Sequence, residues 1–454
     1  MIRQPGVTPA RKSRFYDMVT LIFPLSRIEG HAQVVIEVEA GKVVSAHFQA
    51  TEYRGFQHFV QGVPAEQMPV IVPRICGVCS TAHHIAAVAT LEDIYGVVPP
   101  PAASKLRELL LLGQLIQNQA TSLFLFTMPD CLGLKSIFAH SEDPELEKFR
   151  TSFGSHSLMV RKAGTDLINA AGGQSIHPVK AVVGGMTSAM SSEAADAVNR
   201  QMEKALPLAC GLFESYWKEL LDMGNRIGSL GDDGPAYYVS AAGRDRPDFA
   251  SRTVCVMNPD GTEEGGFSAA EFLSRLTHRE TDYSYAGKTS YKGEVMRANS
   301  LARINMFDQM GTPIADEYLK RFRSDFGRPA QDLILYDLAR GIELVYAIER
   351  ASQILEEPLY EVETAVPHTV RDGEGYGLVE APRGPLIHRY RVRKGLIEKA
   401  EFVIPTVHNV MAIERALKVA AQRYITPEKV DMELDQAVGR VVRAFDPCIA
   451  CATH

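Results

Sequence analysis

Two Cys-x-x-Cys pairs stand near opposite ends of the chain: Cys76 with Cys79 in Arg74-Ile75-Cys76-Gly77-Val78-Cys79, and Cys448 with Cys451 in Asp446-Pro447-Cys448-Ile449-Ala450-Cys451. Two thiolates two residues apart can grip one metal ion, and two such pairs complete a four-sulfur site. A single pair has blander uses, as a thioredoxin-like redox couple or a zinc clip. Zinc ribbons keep their pairs within about 15–20 residues of each other, whereas here most of the chain lies between. A shared site therefore requires the fold to bring both regions together, with structural zinc as the default metal. Cys131, Cys210 and Cys255 stand alone and read as packed thiols.

The elements that must position these pairs follow from pattern. Met18 to Thr51 reads as extended: Val34, Ile36 and Val38 alternate with polar residues, and Ala40-Gly41-Lys42 can turn the chain back. Ala65 to Tyr95 reads as mostly helical after Pro64, with the first pair just after Pro73, near a helix start whose N–H groups favour thiolates. Ala102 to Phe126 is a long apolar helix suited to a bundle interior, and Ser191 to Ile227 another with charges on one face. Gly228 to Gly287 is irregular, with short strands. Gln331 to Glu356 is helical. Gly377 to Thr406 returns to strands with a turn near Arg393-Lys394-Gly395, and Ala412 to Tyr424 and Pro427 to Phe445 are helices leading to the second pair. No internal repeat or linker stands out. The expectation is one compact α+β domain over residues 1–454, mainly helical: a helix bundle with peripheral β-hairpins.

Composition narrows the class. A chain of 454 residues with 46% hydrophobic residues can bury a large core, and a net charge of -7 gives no basic footprint for nucleic acid. Seven cysteines are too few for a disulfide scaffold of this size. No run reaches the roughly 18 apolar residues needed to cross a bilayer, since Gly113 and Gln114 follow the short run Leu109 to Leu112. Met1 to Arg14 lacks the apolar core of a secretory signal, so the expected location is cytoplasmic.

The residues around the cysteines say more. R-I-C-G-V-C-x-x-x-H with D-P-C-x-x-C-x-x-H closely resembles the large subunit of nickel–iron hydrogenases. Further segments are similar in the same order: Arg27-Ile28-Glu29-Gly30-His31, Arg54-Gly55-Phe56, His177-Pro178 with Gly184-Gly185, Glu380-Ala381-Pro382-Arg383-Gly384, and Pro405-Thr406. The resemblance implies nickel held by all four thiolates, with Cys76 and Cys448 terminal. Cys79 and Cys451 would bridge to an iron that carries carbon monoxide and two cyanide ligands. It implies that Arg383, next to Pro382, sits over the open side of the cluster, and that Thr406 donates a hydrogen bond to a cyanide. Glu29 becomes the first proton carrier beside Cys448, and His83 directs an N–H at a bridging sulfur. His454 would bind a magnesium or iron ion, with the Phe402 carbonyl as a further ligand.

Three positions depart from the family pattern. Gln57 stands where most members place a metal-binding glutamate; an amide oxygen can bind Mg²⁺ but brings no charge. Asn118 stands where many uptake members have an aspartate near Arg383. Met296 to Arg303 reads M-R-A-N-S-L-A-R, where the family typically has G-P before L-A-R.

The activity implied is H2 ⇌ 2H⁺ + 2e⁻. With both cysteine pairs spent on the site, none remain for an iron–sulfur wire. Electrons must leave through an iron–sulfur small subunit and further electron-transfer subunits. The chain looks more like the cytoplasmic, bidirectional or cofactor-linked groups than the membrane-bound uptake group, although in exported members the small subunit carries the signal for both. The alternative reading is a hydrogen-sensing regulator with little turnover, which would share every ligand. Respiratory complex I relatives lack the four cysteines.

Overall fold

The computed structural model describes residues 18–227, 230–231, 234–249, 251–359, 362–426 and 429–453. Four long helices build the interior. Pro101–Ala120 packs on Pro144–Gly172 and Leu335–Leu355, and both of these also pack on Ser192–Ile227. Leu335–Leu355 is buried on nearly every side, as expected of a helix at the centre of a bundle. Its charges are matched internally: Asp337 accepts from Arg340, Arg440 and the Tyr216 hydroxyl.

Pro101–Ala120 and Pro144–Gly172 cross where two glycines meet. A Cβ on Gly164 would fall 2.6 Å from the Gly113 carbonyl oxygen and 2.7 Å from the Gln117 nitrogen. Gly113, which interrupts an apolar run in the sequence, is thus the contact that lets the backbones touch. Past Ala120 the helix widens into a π turn, Thr121–Thr127, before Met128–Cys131; Pro129 has no N–H to donate back into that turn. The whole rod, Pro101–Cys131, includes an 18-residue window of mean hydropathy 1.3, long and apolar enough by composition to cross a membrane, but 83% of that window is buried in the protein. It is a core helix.

Small sheets flank the bundle. The expected hairpin at 18–51 is three-stranded and antiparallel: Met18–Pro24, Ala32–Glu39 and Lys42–Ala50, turning at Ala40-Gly41. The segment before Ile28 is therefore a strand in its own right, its Leu21 and Phe23 packed on the core. A second meander runs Gly373–Ala381, Gly384–Arg393, Leu396–Val403. It ends before Thr406, which lies in the first turn of the helix Pro405–Tyr424 rather than at a strand end; Pro405 supplies the preset φ of a helix start. A four-stranded sheet occupies part of the irregular region, in the order Met296–Arg297, Tyr237–Ser240, Val254–Met257, Glu263–Phe267. The last long helix is shorter than the pattern suggests, Leu434–Ala444; Pro427 lies outside the described residues. One core cluster runs from Ala32 to Ala452 and includes all four paired cysteines.

Candidate metal centre

Cys76 and Cys79 sit where the tight turn Val72–Ile75 gives way to the helix Ser80–Tyr95. Cys76 is extended, and Cys79 is the capping residue of that helix, a position whose free N–H groups favour a thiolate. Cys448 opens the short turn of helix Ile449–Ala452 that carries Cys451.

The two regions meet through a parallel bridge between Glu29 and Cys448, in which the Ile449 N–H donates to the Glu29 carbonyl at 3.1 Å. Gly30 permits this approach: its φ is +82°, and a Cβ there would lie 2.7 Å from that of Ile449. Arg54 holds both cysteine loops. Its guanidinium donates to the Ile75 carbonyl and its own N–H to that of Thr453 at 2.7 Å.

The four Sγ atoms lie within 4.8 Å of one another and all four residues are buried. The Sγ of Cys448 is 3.3 Å from that of Cys76, 3.8 Å from Cys79 and 2.8 Å from Cys451. Electrostatics splits the set. Hydrogen bonds from Cys448, then Cys451 and Cys76, together with the Arg383 charge, hold the Cys79 thiol well below its ordinary range. Burial pushes the Cys448 and Cys451 thiols well above theirs. Four buried thiolates repel one another unless a cation lies among them, so the donor set fits a soft divalent metal.

Beside the sulfurs, a small cavity is lined by Cys79, His83, Arg383, Pro405, Thr406, Cys448 and Cys451. Arg383 occupies the two-residue turn between Ala381 and Gly384. Its Nη1 donates to Cys79 Sγ at 3.1 Å, its Nε to the Asp446 carbonyl and its Nη2 to Asp446 Oδ1 at 3.2 Å. The Thr406 hydroxyl accepts the Cys448 N–H at 3.0 Å, which leaves its own proton to be donated.

The model of the family described as nickel-dependent hydrogenase matches residues 54–139 and 249–454, and a HoxL-like model matches residues 20–53. The chain belongs to the nickel-dependent hydrogenase family. It is 34% identical over 418 residues to a vhu F420-non-reducing hydrogenase chain of Methanococcus voltae, covering 88% of this chain and 97% of that protein. Against the NAD-reducing hydrogenase HoxS subunit beta of Cupriavidus necator it is 29% identical over 460 residues, covering 96% and 94%. The solved structure of an NAD+-reducing NiFe-hydrogenase in the H2-reduced state superposes with a TM-score of 0.88 at 28% identity, covering 96% of this chain and 99% of that one. This protein is therefore a hydrogenase large subunit, and its four-cysteine cluster fits a nickel–iron centre.

Around the hydrogenase centre the remaining candidates fall in distinct places. Glu29 Oε2 accepts from Cys448 Sγ at 3.0 Å and from the Ala450 N–H at 3.1 Å. Arg27 does not pair with it, reaching Asp130 and the Phe126 carbonyl instead. His83 joins Cys451 Sγ through Nε2 at 3.5 Å and His388 Nε2 through Nδ1 at 3.0 Å. His84 is buried too, its Nδ1 donating to the Pro69 carbonyl. Asn118 donates to Asp446 Oδ2 at 3.0 Å and Arg383 to Asp446 Oδ1, so Asp446 links the two. Pro382 is buried but is not among the cavity-lining residues, and its carbonyl accepts from Arg303. Gln57 lies in the short helix Phe56–Phe59, which packs on the strand carrying Phe402. The Phe402 ring stands against His388. His454 lies outside the described residues.

Two participants escape the sequence reading. His388, which continues the contact from His83 to the Tyr390 hydroxyl at 2.6 Å, follows from the alternation His388, Tyr390, Val392 against Arg389, Arg391, Arg393. That pattern turns the histidine inward. Asp446 is visible as the first residue of D-P-C, but its partners come from distant segments.

Proposed function

We propose that this large subunit cleaves and forms H2 at a nickel–iron centre held by Cys76, Cys79, Cys448 and Cys451, the iron carrying carbon monoxide and two cyanides. The observation that carries the reading is the single buried cluster of four sulfurs drawn from both cysteine pairs. When bound, the metals supply the Lewis acidity that polarises H2.

The chain's own residues would do the rest. Cys76 and Cys448, one from each of the two cysteine pairs, would each hold the metal centre. Cys79 and Cys451, which line the cavity together with Cys448, would complete the sulfur set that holds the metals. Arg383 presents a permanent positive charge to the cavity from a buried position. The Thr406 hydroxyl would offer a hydrogen bond to a diatomic ligand, and His83 would orient Cys451. Glu29 takes the proton from Cys448, to which it is already hydrogen bonded. The packing of the Gln57 helix on the Phe402 strand, and the hydrogen bond from the Arg54 N–H to the Thr453 carbonyl, support a magnesium or iron site for which His454 would be a further ligand.

Among the described residues no second group of ligating side chains of this kind exists, so electrons leave through an iron–sulfur partner subunit and onward carriers. Relatives named as subunits of hydrogenases support a partner subunit, and the NAD-reducing one among them supports a cofactor-linked enzyme. The test is metal analysis with infrared spectroscopy and dye-linked turnover. One nickel per chain with at least as much iron, absorption in the triple-bond region and sustained dye reduction are expected. Stoichiometric zinc with a blank infrared window overturns the assignment, and a metal-replete chain that reduces no dye overturns the enzymatic reading in favour of a hydrogen sensor.

A further inference from the structure

Arg303 is fully buried, yet it is no part of the cysteine site. It lies in the helix Ser300–Met306, between two carboxylates that are equally enclosed. Its Nε donates to Glu343 Oε1 at 2.5 Å and its Nη2 to Glu343 Oε2 at 2.8 Å, a two-pronged pair, while Nη1 donates to Glu380 Oε1 at 2.6 Å. Nη2 also donates to the Ser300 hydroxyl at 3.1 Å, and the other contacts go to backbone. Nη1 also reaches the Ala381 carbonyl at 3.3 Å, and Nη2 reaches the Pro382 carbonyl at 2.8 Å. These are the two residues immediately before Arg383, on the turn that projects it into the cavity.

The carboxylates are themselves fixed. Glu380 Oε2 accepts the Ala241 N–H at 2.6 Å, and Glu343 Oε2 accepts from Gln119 at 2.6 Å and Ser300 at 2.5 Å. Gln119 in turn accepts from Asn118, whose amide also donates to Asp446, the carboxylate that pairs with Arg383. A second line of hydrogen bonds thus runs from Arg303 to the far side of the same guanidinium. A planar guanidinium can hold two carboxylates and two carbonyls at fixed angles; an ammonium cannot.

We infer that Arg303 is a positioning residue for the hydrogenase reaction, clamping the Ala381–Pro382 turn so that Arg383 is held over the metal centre. The inference rests on the reading that Arg383 acts at that centre. A misplacement of about 1 Å at a reacting group can cost about 10²-fold in rate, so a loosened turn registers in turnover.

The experiment is a double-mutant cycle on the metal-loaded enzyme with Arg303→Lys, Arg383→Lys and both together, each checked for nickel content. Turnover with a dye and the positions of the infrared bands are read. Arg303→Lys is expected to lower turnover about 10- to 100-fold and to displace the infrared bands in the same direction as Arg383→Lys. Added to Arg383→Lys, it is expected to change turnover by less than about twofold, the margin within which independent sites add.

Full multiplication of the two losses, or unmoved bands in Arg303→Lys, overturns the positioning role and leaves Arg303 a support of the core. Parent turnover in Arg383→Lys overturns instead the reading of Arg383 on which the inference stands. Where Arg303→Lys does not accumulate as folded protein, Glu343→Gln takes its place in the cycle. It keeps the shape and one acceptor while weakening the hold on the guanidinium, and the same coupling and band displacement are required of it.

Discussion

Glu29 and Cys448 are joined twice: their backbones form a parallel bridge, and the carboxylate accepts from the thiol at 3.0 Å. The side-chain contact is therefore set by the main chain and survives a change that keeps the side chain's shape. Glu29→Gln retains an oxygen for the Ala450 N–H but has no group that can take a proton. Nickel content and infrared bands are expected at parent levels, while H2/D⁺ exchange and turnover fall by about 10²–10⁴-fold, the range for a lost acid–base group. A metal-replete variant exchanging at the parent rate removes Glu29 from the proton route.

Serine at a cluster position tests the ligand set. Cys76→Ser and Cys448→Ser are expected to abolish hydrogen oxidation, because a hydroxyl is a harder and less readily ionised donor. Cys131→Ser, Cys210→Ser and Cys255→Ser are expected to keep most activity. Burial holds the Cys131 thiol up at about 12 and that of Cys210 at about 11, as suits inert packed groups. Full activity in Cys448→Ser contradicts the assignment.

Acid should weaken the fold through its buried histidines. Burial depresses His84 and His408 from 6.5 to about 4. Both are neutral in the folded chain, and the unfolded chain binds protons first as pH falls. Their contribution is complete above 6.5, declines as pH falls below it, and is gone below about 4. Each is worth about 3 kcal/mol at most by proton linkage. Urea unfolding between pH 7 and 4 should show a falling midpoint, less steep in His408→Asn. Identical slopes in parent and variant refute the link for His408.

Helix propensity and packing compete at Gly164. Alanine gains about 1 kcal/mol of intrinsic helix stability, but its Cβ would meet backbone atoms at 2.6 and 2.7 Å, and overpacking costs about 1–3 kcal/mol. With backbone on the other side there is no flexible neighbour to give way, so Gly164→Ala is expected to lower the urea midpoint. A midpoint at or above that of the parent shows that the helices can part without penalty.

The centre is legible because its ligands come as pairs at fixed local spacing, and the turns at Ala40-Gly41 and Lys394-Gly395 because glycine punctuates them. The helix Pro144–Gly172 is missed although its start is marked. Asp143 caps it, accepting the N–H groups of Glu145 and Leu146, and Pro144 and two acidic residues follow. Its buried positions include glycines, alanines and a serine, small residues that carry little hydrophobic signal. Thr406 reads as a strand end because the apolar run Phe402 to Ile404 leads up to it; only the Pro405 helix start distinguishes the two. The resemblance puts Asn118 near Arg383, but the hydrogen bonds that link Arg383, Asp446, Asn118 and Arg303 carry no local signal, since four separated segments supply them and no local period connects them.

Cys76 and Cys448 touch across 372 positions of sequence. In polymer terms, closing so long a loop costs about 5 kcal/mol of chain entropy, against about 1 kcal/mol for the closure within either pair. A cation gripped by one pair is a local event. Recruiting the other pair requires everything between them to be in register, down to a glycine contact between two helices that supply no ligand. Occupancy of the centre thus works as a gauge of the whole chain: damage far from any sulfur is expected to register as lost nickel before it registers as lost helix.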